Sequence, residues 1–372
     1  MNQIFSTFRW DLSLIKRKDV GQCRIRASND VEAIERWLDE YFDKPTTFRA
    51  YKKEAERFLV WCVTERNTSL SELKREDVLA YGEFLKNPMP KEKWCGPRRQ
   101  KSPSGHWYPF SGSLSESAIR TSMASLNSLM RYLVDACYLE FNPFILVKSK
   151  NRFTAKVEEA ILVQERILQD DEWHELLKTL EEEPEANDLE KFKKHRLRFL
   201  VSILFFLGLR IDELARAIWS DCRKIDGLWW FFVRGKGNRL GKIPINSQLL
   251  ETIIFYRHVT GKTPVPAPED TSPLIFGVNK DQALSVRQMS NLLKELSLKA
   301  AEKFPKNSSS FQRLMRFSPH WLRHLSASHQ DRAGISFTHI KSNLRHQNEQ
   351  TTRIYVHAHD TDRHMDMEKL KI

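Results

Sequence analysis

Tyr355 lies nine residues after His346 in Leu344-Arg-His-Gln-Asn-Glu-Gln-Thr-Thr-Arg-Ile-Tyr355, and both follow His320-Trp-Leu-Arg323. A phenol oxygen that attacks a phosphodiester needs three kinds of help. Cations must hold the non-bridging oxygens, a base must take the phenol proton, and an acid must protonate the departing sugar oxygen. The chain carries all three kinds of group, in separate segments upstream of one tyrosine. Their order suggests a nucleophile that cuts DNA.

Each group also has a plainer reading. Arg210, in Gly208-Leu-Arg-Ile-Asp-Glu213-Leu, follows a long apolar run. A guanidinium there must find a partner or bind an anion from a rigid seat, and taken alone a structural salt bridge to Asp212 or Glu213 is the better expectation. Lys236 sits in Val233-Arg-Gly-Lys-Gly-Asn-Arg-Leu-Gly-Lys242, between two strand-like segments. The glycines suit a hairpin turn, with Lys236 at its tip. A phosphate-binding P-loop would need Ser or Thr after the lysine and then a helix, so an ATPase is excluded; a solvated turn lysine is the alternative. The HxxR spacing recurs in His195/Arg198 and His329/Arg332, as chance allows with 12 histidines in an arginine-rich chain. Pro319 distinguishes the pair His320/Arg323, because it marks a helix entry that puts both side chains on one face near an N-terminus, where main-chain N–H groups favour phosphate. His324 is expected on a different face, as a structural residue. His346 and Tyr355, taken separately, read as an interior histidine and a core tyrosine.

These residues must be held by elements that the pattern outlines. The 372 residues suffice for two domains, and 60 Lys+Arg against 48 Asp+Glu give a net charge of +12, which favours a polyanionic partner. The cysteines, Cys23, Cys62, Cys95, Cys137 and Cys222, have no paired or zinc-ligand spacing, as expected in a reducing cytoplasm without structural metal. No signal pattern opens the chain, and the apolar run 199–209 is too short to span a bilayer. Residues 1–28 have no clear period and read as an N-terminal arm or a short strand pair. A helix capped by Asn29-Asp30 carries Val31, Ile34, Trp37, Leu38 and Phe42; Thr46-Thr47 can cap a second, a third runs from Ser71 to Leu85, and a long one spans about 115–137. The Pro-, Gly- and Lys-rich stretch 86–113 reads first as a surface loop pinned by Trp94, Trp107, Tyr108 and Phe110. Its sharper reading is a DNA-contacting loop in which Lys91, Lys93, Arg98, Arg99 and Lys101 meet phosphates. Residues 146–165 form a linker with Lys148, Lys150 and Arg152 as further candidates for DNA contact. The domain boundary is expected near residue 160. Beyond it come helices over 170–181 and through 199–209, a two-strand unit (228–233 and 242–245), a helix over 249–259, a short strand at 274–276 and helices to the end.

The joint order of Arg210, Lys236, His320/Arg323, His346 and Tyr355 resembles that of the tyrosine recombinases, the phage integrase family. GLRIDEL resembles the family's first arginine box, VRGKGNRLGKIPI its lysine hairpin, HWLRHLSAS its HxxR box, and LRHQNEQTTRIYVH its closing His-and-Tyr box. PTTFRAYKKEAERFLVW and the Asn142-Pro-Phe144 turn resemble the helical core-binding domain. The resemblance implies a mainly α protein with a small β-sheet or hairpin: a SAM-like core-binding clamp over 29–145, then an α+β catalytic domain over 166–372.

Carried over by position, Tyr355 is the nucleophile and Arg210, Arg323 and His346 hold the scissile phosphate. By the same resemblance His320 accepts the phenol proton, Lys236 protonates the leaving 5′ oxygen and Glu213 supports the site. The implied activity is site-specific recombination through a 3′-phosphotyrosyl intermediate, without metal, ATP or other cofactor. The implied partners are double-stranded DNA, three further copies of the chain in a tetramer joined through the C-terminal tail, and accessory DNA-bending or recombinase proteins. The implied location is the nucleoid in the cytoplasm, with no membrane. A type IB-like topoisomerase, or a non-catalytic DNA-binding protein derived from a recombinase, is the alternative. Arg345 departs from the family's usual glycine before the histidine, and HLSAS from its commoner His-Thr-Phe-Ala-Thr wording.

Overall fold

The computed structural model describes residues 15–16, 22–96, 108–147, 167–235, 240–278 and 282–345. The chain divides into two compact units, Met1–Lys150 and Asn151–Ile372.

The first unit is helical: α1 (Asp30–Asp39), α2 (Pro45–Trp61), α3 (Arg75–Lys86) and α4 (Glu116–Asp135). Asn29 caps α1 by accepting the Glu32 N–H, and Ser115 caps α4 by accepting that of Ala118. Pro45 opens α2, where its missing N–H costs nothing, so Thr46 and Thr47 lie inside the first turn and do not cap it. The segment expected to begin the third helix forms instead a short 3₁₀ turn, Leu70–Glu72, and Leu73 is extended before α3 starts. The apolar stripes meet in one core around Ile34, Trp37, Phe58, Tyr81, Leu126 and Leu133. Phe42 is not part of it: α1 ends before it, and the ring is 76% exposed. After α3, Trp94 and Phe110 are buried and both pack edge-on against Phe84; Trp107 lies outside the described residues.

The second unit is built around α6 (Asp188–Leu207), whose residues Phe199, Leu200, Ile203 and Leu204 are buried and which packs against α8 (Ser247–Val259) and α11 (Pro319–Arg332). The remaining helices are α5 (Asp170–Glu181), α7 (Ile211–Ala215), α9 (Val286–Ala301), α10 (Ser309–Arg316) and α12 (Phe337–Leu344). The sheet has three antiparallel strands, β1 (Cys222–Ile225), β2 (Leu228–Arg234) and β3 (Leu240–Pro244), in sequence order. The reading of two strands missed β1. Asp226 and Gly227 join it to β2, both with positive φ, as the two-residue hairpin turn requires. Residues 274–276 are buried but form no ladder; isolated bridges, Ile218 to Pro273 and Phe276 to Ala283, tie this segment down. Among the described residues, no helix is long and apolar enough to cross a membrane.

Candidate active site

The apolar helix α6 ends at Gly208, whose φ of 54° is left-handed. A Cβ at this position would lie 2.5 Å from Leu344 Cδ2, so glycine is required both by the turn and by the close approach of the α12 end. Two residues later Arg210 stands at the N-cap of α7. Its main-chain N–H donates to Glu213 Oε2 at 2.9 Å, and its Nη1 donates to Oε1 at 2.9 Å. The pair is lopsided: the Glu213 side chain is 3% exposed and that of Arg210 is 45%. Burial pushes the Glu213 carboxyl up, but Arg345 and then Arg210 outweigh it, so its pKa lies below the ordinary value and it is a carboxylate at neutral pH.

Arg323 comes to the same place from α11. Pro319 occupies the first turn of that helix, as the sequence suggests. The Arg323 guanidinium is buried and donates through Nη1 to the Gly208 carbonyl and through Nη2 to the Leu344 carbonyl. Both acceptors stand at helix C-terminal ends, where the aligned peptide dipoles favour a cation. His320 is exposed on the same helix. Its ring meets the buried His324 edge to face, with centroids 4.4 Å apart. The expectation that His324 lies on a different face is therefore corrected: positions four apart on a helix are neighbours.

The end of α12 completes the cluster. Arg345 has φ 55° and ψ 40°, and its N–H closes the helix onto the Lys341 and Ser342 carbonyls. Here a glycine would be the easy residue. Its side chain turns inward: Nη2 donates to Glu213 Oε2 at 2.7 Å, and Nη1 to the Asn343 carbonyl at 2.9 Å. Burial lowers the Arg345 pKa and Glu213 opposes that. The link to Glu213 escaped the sequence reading, which marked Arg345 only as a departure, because 132 positions separate the partners.

The structure thus brings together Arg210, Glu213 and Arg323. Lys236, His346 and Tyr355 lie outside the described residues, as do Arg98, Arg99, Lys101, Lys148, Lys150 and Arg152. Lys242, the other hairpin lysine, holds its ammonium 4.5 Å from the centre of the Trp230 ring on β2. In the first unit Lys91 is exposed, and Lys93 pairs with Glu65 at 2.7 Å. The other HxxR pairs serve elsewhere: Arg198 pairs with Glu181, and Arg332 with Asp170. A cavity of about 560 Å³ lined by Trp173, His195, Phe205, Phe255 and His329 contains none of the clustered arginines. Among the described residues, no group of three or more His, Cys, Asp or Glu could hold a metal ion.

Residues 166–362, more than half of the chain, match the model of the phage integrase family. The chain belongs to that family. It is a tyrosine recombinase, of the enzymes that break and rejoin DNA strands in site-specific recombination. The recombinase is 24% identical over 318 residues to tyrosine recombinase XerC of Thermodesulfovibrio yellowstonii, covering 85% of this chain and 87% of that one. It is 23% identical to XerC of Chlorobaculum tepidum, covering 92% of each. The XerH recombinase in a post-cleavage complex with palindromic difH substrate has a similar fold, with a TM-score of 0.57, 16% identity, and coverage of 92% of this chain and 85% of that one. The Tn1549 transposon integrase with transposon right-end DNA gives a TM-score of 0.55 at 17% identity, covering 91% and 98%. At these identities the structural likeness shows a shared fold.

Proposed function

We propose that the recombinase cleaves duplex DNA by attack of the Tyr355 phenolate oxygen on a scissile phosphorus. The new bond is a 3′-phosphotyrosyl ester and the bond that breaks is P–O5′. The phenol proton passes to His320 and a proton from Lys236 reaches the departing O5′. Attack of a 5′ hydroxyl on the ester then reverses the step on the same or a different strand, so the bond energy is stored and neither ATP nor a metal ion is called for. Arg210, Arg323 and His346 hold the phosphate, and Glu213 holds Arg210.

One observation carries this reading: two arginines more than a hundred residues apart converge where α6 and α12 end, and the half-exposed one is seated by a buried carboxylate.

At the level of the whole chain, residues 29–145 and 166–372 act as the two halves of a clamp on double-stranded DNA, joined by the 146–165 linker, with residues 1–28 as an arm. Lys91, Lys93, Arg98, Arg99, Lys101, Lys148, Lys150 and Arg152 contribute phosphate contacts. Four copies joined through the C-terminal tail, with accessory DNA-bending or recombinase partners, carry out the exchange on nucleoid DNA in the cytoplasm. The test is covalent capture on a nicked duplex, read on a denaturing gel. The unsubstituted chain should give a protein–DNA adduct, and Tyr355→Phe none, with DNA affinity nearly unchanged. An adduct that persists in Tyr355→Phe would mean another nucleophile.

A further inference from the structure

Arg345 is costly where it stands. A residue with a Cβ pays on the order of 1 kcal/mol to adopt the left-handed conformation, and the Arg345 guanidinium is drawn into a mostly buried setting, where its buried Nε has no hydrogen-bond partner among the described residues. Glycine would cap α12 without either cost. The side chain must therefore be explained by what it touches.

It touches two other segments. Its Nη2 takes Glu213 Oε2, the oxygen that also accepts the Arg210 main-chain N–H, while Oε1 is held by Arg210 Nη1. Its stem lies across β3: a Cβ on Gly241 would come within 2.6 Å of Arg345 Cδ. One side chain thus ties the end of α12, the Arg210 turn and the β2–β3 hairpin. With Arg210 alone, Glu213 could rotate with its partner, since both lie on one short turn. The second arginine, from another element, removes that freedom.

We infer that Arg345 is a positioning residue for the cleavage reaction: by clamping Glu213 from the α12 side it fixes the direction in which the exposed edge of Arg210 meets the phosphate. This rests on the proposed function, and it adds a guanidinium that does not itself touch the substrate. Two cations on one carboxylate leave the cluster with a net positive charge, and the exposed member carries it outward.

The test uses the full chain with Arg345→Gly and Arg345→Lys. Single-turnover adduct formation on a nicked duplex is measured beside DNA affinity and the melting temperature. Arg345→Gly should slow adduct formation roughly tenfold or more, because a small misplacement of a charge-holding group is costly, while affinity stays within about twofold. Its melting temperature should not fall, since glycine relieves the left-handed backbone. Arg345→Lys keeps a cation within reach of Glu213 and should regain part of the rate. Adduct formation by Arg345→Gly at the unsubstituted rate would overturn the inference. So would a parallel loss of melting temperature and affinity, which would make Arg345 a scaffold residue. If the unsubstituted chain forms no adduct, the proposed function itself fails and this inference falls with it.

Discussion

The molecule contains the same ion pair twice, at the same spacing, in opposite circumstances. In the first unit Arg57 and Glu54 lie three residues apart on α2, with Nε on Oε2 at 2.7 Å. Ser122 of α4 donates to the same oxygen at 2.7 Å, and the Phe110 ring lies 4.9 Å below the guanidinium, which is 3% exposed. In the second unit Arg210 and Glu213 are also three apart, and the carboxylate is equally buried, but the guanidinium is half in solvent. A sealed pair spends its charge inside the protein. An open one keeps a positioned positive charge for something that arrives from outside. Partner identity and spacing are the same in both, and the accessibility of the guanidinium is what differs.

The largest expected effect breaks the pairs in parallel. Arg210→Ala should slow strand cleavage by about 10³-fold, the scale of losing an electrostatic contact to developing charge, with little change in melting because Glu213 keeps Arg345 and the Arg210 main-chain N–H. Arg57→Ala leaves the buried Glu54 carboxylate only the Ser122 hydroxyl and the exposed Lys53 ammonium, 3.2 Å away, and should destabilise the first unit by about 3 kcal/mol, read as a lower urea midpoint. If Arg210→Ala proved the less stable and Arg57→Ala the less active, the assignments would be reversed.

A second test concerns the sealed interior of the first unit, where Asp30 accepts the Leu70 N–H and the Tyr138 hydroxyl. Burial pushes its carboxyl up from 3.8 to about 7. The folded state then binds the proton more tightly than the unfolded state, so this group's contribution to stability is fully present below about pH 4 and is lost as pH rises towards 7. The ceiling is roughly 4 kcal/mol. Asp30→Asn stays neutral, so its urea midpoint should fall less between pH 5 and 8 than that of the unsubstituted chain. Equal slopes would show that Asp30 is ionised in the fold. A smaller effect is expected on the open side: Gly241→Ala must displace the Arg345 stem and should slow cleavage only a few-fold, on the order of 1 kcal/mol, whereas an unchanged rate would separate the hairpin from the cluster.

Legibility in the sequence followed how local each feature is. The glycine turn into Arg210, the proline entry to α11 and the Arg210–Glu213 pairing depend on residues within a few positions, and all could be read. The β1 strand was also within reach, since Asp226-Gly227 is a strong hairpin signal, but Cys222–Ile225 is mostly exposed and lacks the apolar alternation that marks its neighbour. Phe42 looked like a fifth residue of an apolar stripe, but the helix stops too soon to carry it. What no spacing rule reveals is contact at long range. Arg345 on Glu213 and Arg323 on Gly208 join segments more than a hundred residues apart, and only the fold brings them together.

Arg210 is proposed to stay open in order to hold phosphate charge, and one substrate tests this directly. With sulfur replacing the 5′-bridging oxygen at the scissile phosphate, the leaving group is a thiolate that needs no proton, but the non-bridging oxygens still carry the charge. Single-turnover cleavage by Lys236→Ala should be slow on ordinary DNA and recover on the sulfur substrate, whereas Arg210→Ala should remain impaired on both. Rescue of Arg210→Ala by sulfur would contradict the account, because the open guanidinium would then be serving the leaving group rather than the phosphate.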